Sequence, residues 1–308
     1  SPRRLILSGG LCAAAGLLLL AIAQSAWALV GGVFVASMSA GLIWTAMPDA
    51  VRQLQPPEQH SPVLAWTNAG TGVGVLVAAP IALLLVDWRI AYGAYVLLAL
   101  LATVWCLLQM PHLSPDNNTH VVRLKLRWFV GPRSKPMLAL AIAVGLIGGV
   151  YWTFAVDLIN TAGMTEPWVG RMVWFVSGAA GVPALFVSKA IHDFGLRRVI
   201  PVIVGLLGLS MGMLALFPTQ VGVILLSAAS FGLSFVSMAG LLSIWSVRLF
   251  SDRPSAGLGA ALILIAVGQV IGPIVAGGLA EFVGLVPIFL AGMLLAFAAT
   301  LLRPRPQN

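Results

Sequence analysis

The chain has 308 residues, 60% of them hydrophobic and 8% charged, with a formal net charge of +8 and a mean hydropathy of +1.01. A soluble globular domain carries about 25% charged residues, so this composition excludes a water-soluble fold and makes lipid the solvent. In that solvent the positive charge reads as Lys and Arg gathered on cytoplasmic loops, not as a nucleic-acid surface.

In hydrocarbon every backbone polar group needs an internal partner, so each apolar run of about 20 residues reads as a helix. Ten such runs follow one another at 5–23, 28–48, 62–86, 88–110, 137–158, 168–188, 199–217, 220–246, 255–280 and 284–302. The short alternating segments of a transmembrane barrel are absent. The class expected is an all-α polytopic membrane protein with ten transmembrane helices.

Of the 17 Lys and Arg residues, 15 fall at one set of helix ends and two, Arg89 and Arg171, at the other. That set of ends is therefore predicted to be cytoplasmic, with both chain ends inside. Cys12 and Cys106 lie within apolar runs and read as packing residues. The longest connection, 112–136, is a basic cytoplasmic linker containing V-V-R-L-K-L-R-W-F-V. It is either a solvated join between two helical halves or a surface that lies on anionic lipid or binds a partner. The predicted domains are thus 1–111, the linker 112–136, and 137–308.

A repeat runs through the chain. At an offset of 197 − 3 = 194, Arg3-Arg4-Leu5-Ile6 lies over Arg197-Arg198-Val199-Ile200, and Val73-Gly74 over Val267-Gly268. Pro80 and Pro273 are 193 apart, close to the same register. Gly70 and Gly74 form one small-residue pair in the third helix; Gly268 and Gly272, followed by Pro273, form another in the ninth. Such pairs let helix backbones approach closely. The second half holds six helices and the first four, so the expectation is an N-terminally truncated six-plus-six protein lacking its first two helices.

Two six-helix halves joined by a long basic loop resemble the major facilitator superfamily. So does Ile191–Val202, a short polar break between two apolar runs. Its His192-Asp193-Phe194-Gly195-Leu196-Arg197-Arg198 is similar to the family's G-x-x-x-D-R-x-G-R-R signature, with the acid one position late. Pro2-Arg3-Arg4 resembles the tail of the first-half copy. The arginine that the family's proton-coupled drug antiporters carry in their fourth helix has no counterpart in 28–48.

The resemblance implies ten helices equivalent to helices 3–12 of the fold. It also implies secondary active transport of a small solute by alternating access, ion-coupled with the proton as the candidate ion, in the bacterial inner membrane. A monomer and a substrate cavity between the halves are implied too. Asp193, Gly195, Arg197, Arg198, Arg3 and Arg4 would form the cytoplasmic hinge motif.

Pathway candidates are Asn68, Thr71, Tyr151, Trp152, Ser237 and Gln269. Trp44 and Trp245, near helix ends, read instead as interfacial anchors. Asp157 and Arg171 flank one outer loop as either a gate or coupling pair or a simple interfacial ion pair. With so few charged residues at depth, the visible midplane favours a neutral or lipophilic substrate.

No G-x-x-x-x-G-K-[ST] loop and no H-E-x-x-H motif is present, and the four histidines fall in loops. Neither enzymatic activity nor a cofactor or metal is expected. The alternative function is a non-transporting membrane sensor, a partner-binding relative or an inactive truncated product.

Overall fold

The computed structural model describes residues 2–85, 87–111, 131, 134–164, 166–250 and 254–304, and ten apolar helical segments lie among them. Side chains at 45, 48, 49, 52, 57, 61, 64, 65, 68, 69, 83, 167, 247 and 254–256 are outside the description. The helices are α1 (Pro2–Ile22), α2 (Ala26–Leu54), α3 (His60–Leu84), α4 (Trp88–Gln109), α5 (Lys135–Thr161), α6 (Pro167–Gly181), α7 (Val187–Phe194), α8 (Leu196–Leu216), α9 (Val221–Leu249), α10 (Pro254–Val283) and α11 (Leu285–Ala299). Among the described residues, eight stretches are long and apolar enough to cross a membrane, and Gly70–Ala82 and Leu285–Ala299 are shorter apolar helices. One of the eight, Trp168–Phe194, joins α6 and α7 through a 3-10 turn at Val182–Phe186. The protein is an all-α, multi-pass membrane protein. Most of the linker predicted at 112–136, including its amphipathic piece, lies outside the described residues.

Local chemistry sets the helix starts. Ser25 caps α2 by accepting from the Ala28 N–H at 3.2 Å, and Asp87 caps α4 by accepting from the Arg89 N–H at 2.8 Å. Pro167 opens α6, where a missing N–H is harmless. The polar break predicted around 191–202 is much shorter in the fold. Helix continues to Phe194 and resumes at Leu196, leaving Gly195 alone at φ +80 to make the turn. Val187 and Ile191, four apart, bury one face of α7, so its polar residues sit on the other face without breaking the helix.

Two compact units emerge, one made of Ser1–Leu64 with Pro80–Arg123, the other of Ala65–Ala79 with Leu124–Asn308. In the first unit α1 packs along α2 and α4. Gly16 lets α1 rest directly on the backbone of Ala36, where any Cβ would overlap it. The ends of α1 and α4 are tied by arginines. Arg3 Nη2 donates to the Leu107 carbonyl at 3.2 Å, and Arg89 Nη2 to the Ala23 carbonyl at 2.8 Å.

In the second unit α5 packs chiefly on α10, α6 on α9, and α8 on both α9 and α11. Tyr151, Phe231, Phe289 and Trp245 are its largest fully buried side chains. Trp245, expected at the interface, is 1% exposed. Helix α9 runs on to Leu249, so Trp245 lies a full turn inside the helix end and its ring fills the core.

Candidate functional site

The chemistry of the second unit concentrates where α5, α6 and α9 bring aromatic rings together. Tyr151 and Trp152 are adjacent on α5, so they point to different faces of that helix. Phe231 and Phe235, four apart on α9, share one face. The Tyr151 ring stacks on Phe231 at 3.9 Å and 9°, and Phe231 on Phe235 at 5.4 Å and 18°. Trp152 stands edge-on to both, at 5.3 Å and 79° and at 6.0 Å and 81°. Its own face stacks on Trp174 of α6, at 4.9 Å and 11°. Offset-stacked and edge-to-face pairs each contribute about 0.5–1.5 kcal/mol beyond burial, so the cluster is a stiff, preorganised wall.

Burial is graded across that wall. Tyr151 and Phe231 are fully enclosed, whereas Trp152, Trp174 and Phe235 are half-buried. Tyr151, a pathway candidate from sequence, therefore lies behind the exposed layer. Its hydroxyl is 2.9 Å from Ser227 Oγ, and Ser227 Oγ donates to the Ser210 carbonyl at 2.7 Å. Since Ser227 has a single proton and gives it to Ser210, Tyr151 is the donor to Ser227. The relay links α5, α9 and α8. Ser177 Oγ adds a link from α6 to α9 by donating to the Ala228 carbonyl at 3.0 Å.

Backbone contact holds α6 in place on two sides. A Cβ on Gly232 of α9 would overlap the Ser177 carbonyl, and a Cβ on Gly178 would lie 2.6 Å from the Leu76 nitrogen of α3. A Cβ on Gly72 of α3 would in turn lie 3.0 Å from the Gly181 backbone. Gly70 and Gly74, the pair expected to make this approach, have nothing within 4 Å of a Cβ among the described residues. The contact face of α3 is turned so that Gly72 carries it. On α10, a Cβ on Gly268 would lie 2.6 Å from the Ile142 carbonyl and one on Gly272 would lie 2.5 Å from the Leu146 carbonyl. A Cβ on Gly149 of α5 would lie 3.0 Å from Pro273 and 2.8 Å from the Gln269 backbone.

The remaining candidates are dispersed. Thr71 is exposed on α3 and Gln269 half-buried on α10; the Asn68 side chain lies outside the described residues. Ser237 is 1% exposed, and among the described residues its hydroxyl has no hydrogen-bond partner. Asp157 and Arg171 are both exposed, on the last turns of α5 and the second turn of α6, at the end of the unit nearest the tryptophan stack. Asp193, Arg197 and Arg198 are exposed around the half-buried Gly195. Arg4 is exposed, while Arg3 reaches α4 as described. Among the described residues no group of His, Cys, Asp and Glu is placed to hold a metal ion.

Sequence reasoning did not find Phe231, Phe235, Ser227 or the Gly178–Gly181 contact. The i, i+4 phenylalanines and the Ser177-Gly178-x-x-Gly181 stripe were the available signals.

Comparison with known proteins bears on what this arrangement serves. The sequence-family model described as Major Facilitator Superfamily matches residues 1–253. A curated relative, the transcription regulatory protein OpdE of Pseudomonas aeruginosa, is 25% identical over 322 residues, covering 97% of this chain and 77% of the relative. The crystal structure of the human organic anion transporter MFSD10 (TETRAN) is similar with a TM-score of 0.73 at 15% identity. That match covers 98% of this chain and 77% of the neighbour. At that identity the likeness is one of fold.

Proposed function

The chain belongs to the Major Facilitator Superfamily, and from that membership we propose that it is a secondary active transporter, non-enzymatic, moving a small neutral or lipophilic solute by ion-coupled alternating access. The observation that carries the substrate class is the half-buried layer of Trp152, Trp174 and Phe235, built from stacked rings with no charged side chain among them. An apolar ring surface favours solutes that leave water readily and offers a multiply charged solute nothing to replace its hydration.

In this reading Trp152 lines the pathway, with Thr71, Asn68 and Gln269 supplying polar contacts. Tyr151 supports the wall from behind, and the unpartnered hydroxyl of Ser237 lies on α9, the helix of Phe235. Asp157 and Arg171 serve as the gate or coupling pair. Asp193, Gly195, Arg197 and Arg198, with Arg3 and Arg4, form the cytoplasmic hinge. The domains are those of a two-half transporter, 1–111 and 137–308 about the linker 112–136. It works as a monomer in a bacterial inner membrane, with both chain ends cytoplasmic.

The test is uptake into proteoliposomes over a panel of aromatic, aliphatic and charged solutes, with and without a pH gradient. Gradient-dependent flux of apolar solutes is expected. Absence of flux for the whole panel would sink the reading.

A second reading has one observation in its favour: the OpdE relative is named a transcription regulatory protein. Under it, the chain is a non-transporting membrane sensor that binds a solute on the same aromatic wall. Binding without flux in the same proteoliposomes would favour this second reading.

A further inference from the structure

Past Gly181 the chain tightens into the 3-10 turn Val182–Phe186, continues as α7, turns at Gly195 and enters α8. This elbow has a buried side, formed by Val187, Ile191 and Leu196. Its exposed residues are of two unlike kinds. Phe186 and Phe194 are 67% and 63% exposed. Lys189, Arg197 and Arg198 are also exposed, and among the described residues none of the three side chains has a hydrogen-bond or ion-pair partner. His192 and Asp193 are exposed on the same elbow, which therefore carries three permanent cations and one acid.

The elbow closes a membrane-spanning stretch, Trp168–Phe194, so the phenylalanines and the cations meet where hydrocarbon gives way to water. A soluble anion would satisfy the cations and leave the rings in water. A zwitterionic lipid would cover the rings but bring its own ammonium to the cations. A phospholipid of net negative charge satisfies both.

We propose that the α7–α8 elbow is a docking site for an anionic phospholipid. Its phosphate lies among Lys189, Arg197 and Arg198, and its acyl chains run beside Phe186 and Phe194. The proposal does not rest on transport.

Native mass spectrometry of the whole detergent-solubilised chain, titrated with phosphatidylglycerol and with phosphatidylcholine, tests it. Phosphatidylglycerol is expected to bind more tightly by about tenfold or more, as three basic residues near an anionic headgroup imply. Lys189→Gln/Arg197→Gln/Arg198→Gln should bring the two lipids level, whereas Arg197→Lys/Arg198→Lys, which keeps the charge, should preserve the preference. Arg303→Gln, at the other end of the unit's sequence, should also preserve it. Equal binding of both lipids by the parent protein, or an undiminished preference in the triple Gln variant, overturns the proposal. So does displacement of the lipid by millimolar inorganic phosphate, which would mark a free-anion site.

Discussion

Arg89, at the start of α4, donates to the carbonyl of Ala23, just past the end of α1, at 2.8 Å. Arg3, at the start of α1, does the same for Leu107 in the last turn of α4, at 3.2 Å. Each helix thus lends a cation to the other's C-terminus, where carbonyls lack intrahelical partners and the helix dipole is negative. Arg89 also lies 4.3 Å over the Trp88 ring, which fixes the guanidinium from its own side.

Arg3→Ala and Arg89→Ala are each predicted to lower the stability of the first unit by roughly 1 kcal/mol, the net value of a typical hydrogen bond. The two ties are about 30 Å apart along a 21-residue helix, so the losses should add in the double variant. Thermal unfolding in detergent checks this; a double variant no worse than either single would show that the ties act as one.

The relay through Ser227 predicts an asymmetry. Tyr151→Phe removes one hydrogen bond and leaves Ser227 bonded to Ser210, costing about 1 kcal/mol. Ser227→Ala strands the fully buried Tyr151 hydroxyl and should cost about 1–3 kcal/mol. The double variant is expected to be more stable than Ser227→Ala alone. Equal losses in both singles would contradict the assigned donor direction.

On α3 the glycines separate cleanly. Gly72→Ala should destabilise, because its Cβ meets the backbone of Gly181 and no side chain can move aside. Gly70→Ala and Gly74→Ala project into open space and gain up to about 1 kcal/mol in helix propensity. Monodispersity on gel filtration with temperature ranks the three. A destabilised Gly70→Ala would mean that α3 presents a different face.

If Trp152 lines the pathway, Trp152→Ala should raise the KM for an aromatic solute about three- to tenfold, the value of one ring contact. Little change in kcat is expected, since the contact is made before and during translocation alike. Trp174→Ala should do the same by releasing the stack. An unchanged KM in both would remove the tryptophan wall from the substrate route.

Asp157→Asn should slow uptake driven by a proton gradient if this exposed carboxylate takes part in coupling. The measurement is initial rate against external pH in parent and variant. Superimposable profiles would reduce Asp157 to a solvated helix end.

The helical architecture was legible in the sequence because lipid leaves the backbone no alternative: an apolar run of sufficient length must satisfy its own N–H and C=O groups. That one constraint supplied all ten segments, from Pro2–Ile22 to Leu285–Ala299, and the repeated basic pairs pointed to the family before any coordinate. It could not say which side of each helix meets which neighbour. Gly70, Gly72 and Gly74 recur at alternate positions in a small-residue stretch, so only the packed α3–α6 contact singled out Gly72.

The polar break at Ile191–Val202 divides in the same way. Its composition announced a charged boundary between two spans, and that boundary is there. The tertiary structure reduced the break to Gly195 and gave α7 an inward Val187–Ile191 face. Tyr151 and Trp152 make the point most sharply. Adjacent in sequence and both aromatic, they were both pathway candidates, and composition did not settle which one faces it. Rotation about the α5 axis, fixed by glycine contacts with α10, sends Tyr151 into the core and leaves Trp152 half-exposed. Hydropathy decides that a helix spans; side-chain packing between helices decides where each face points.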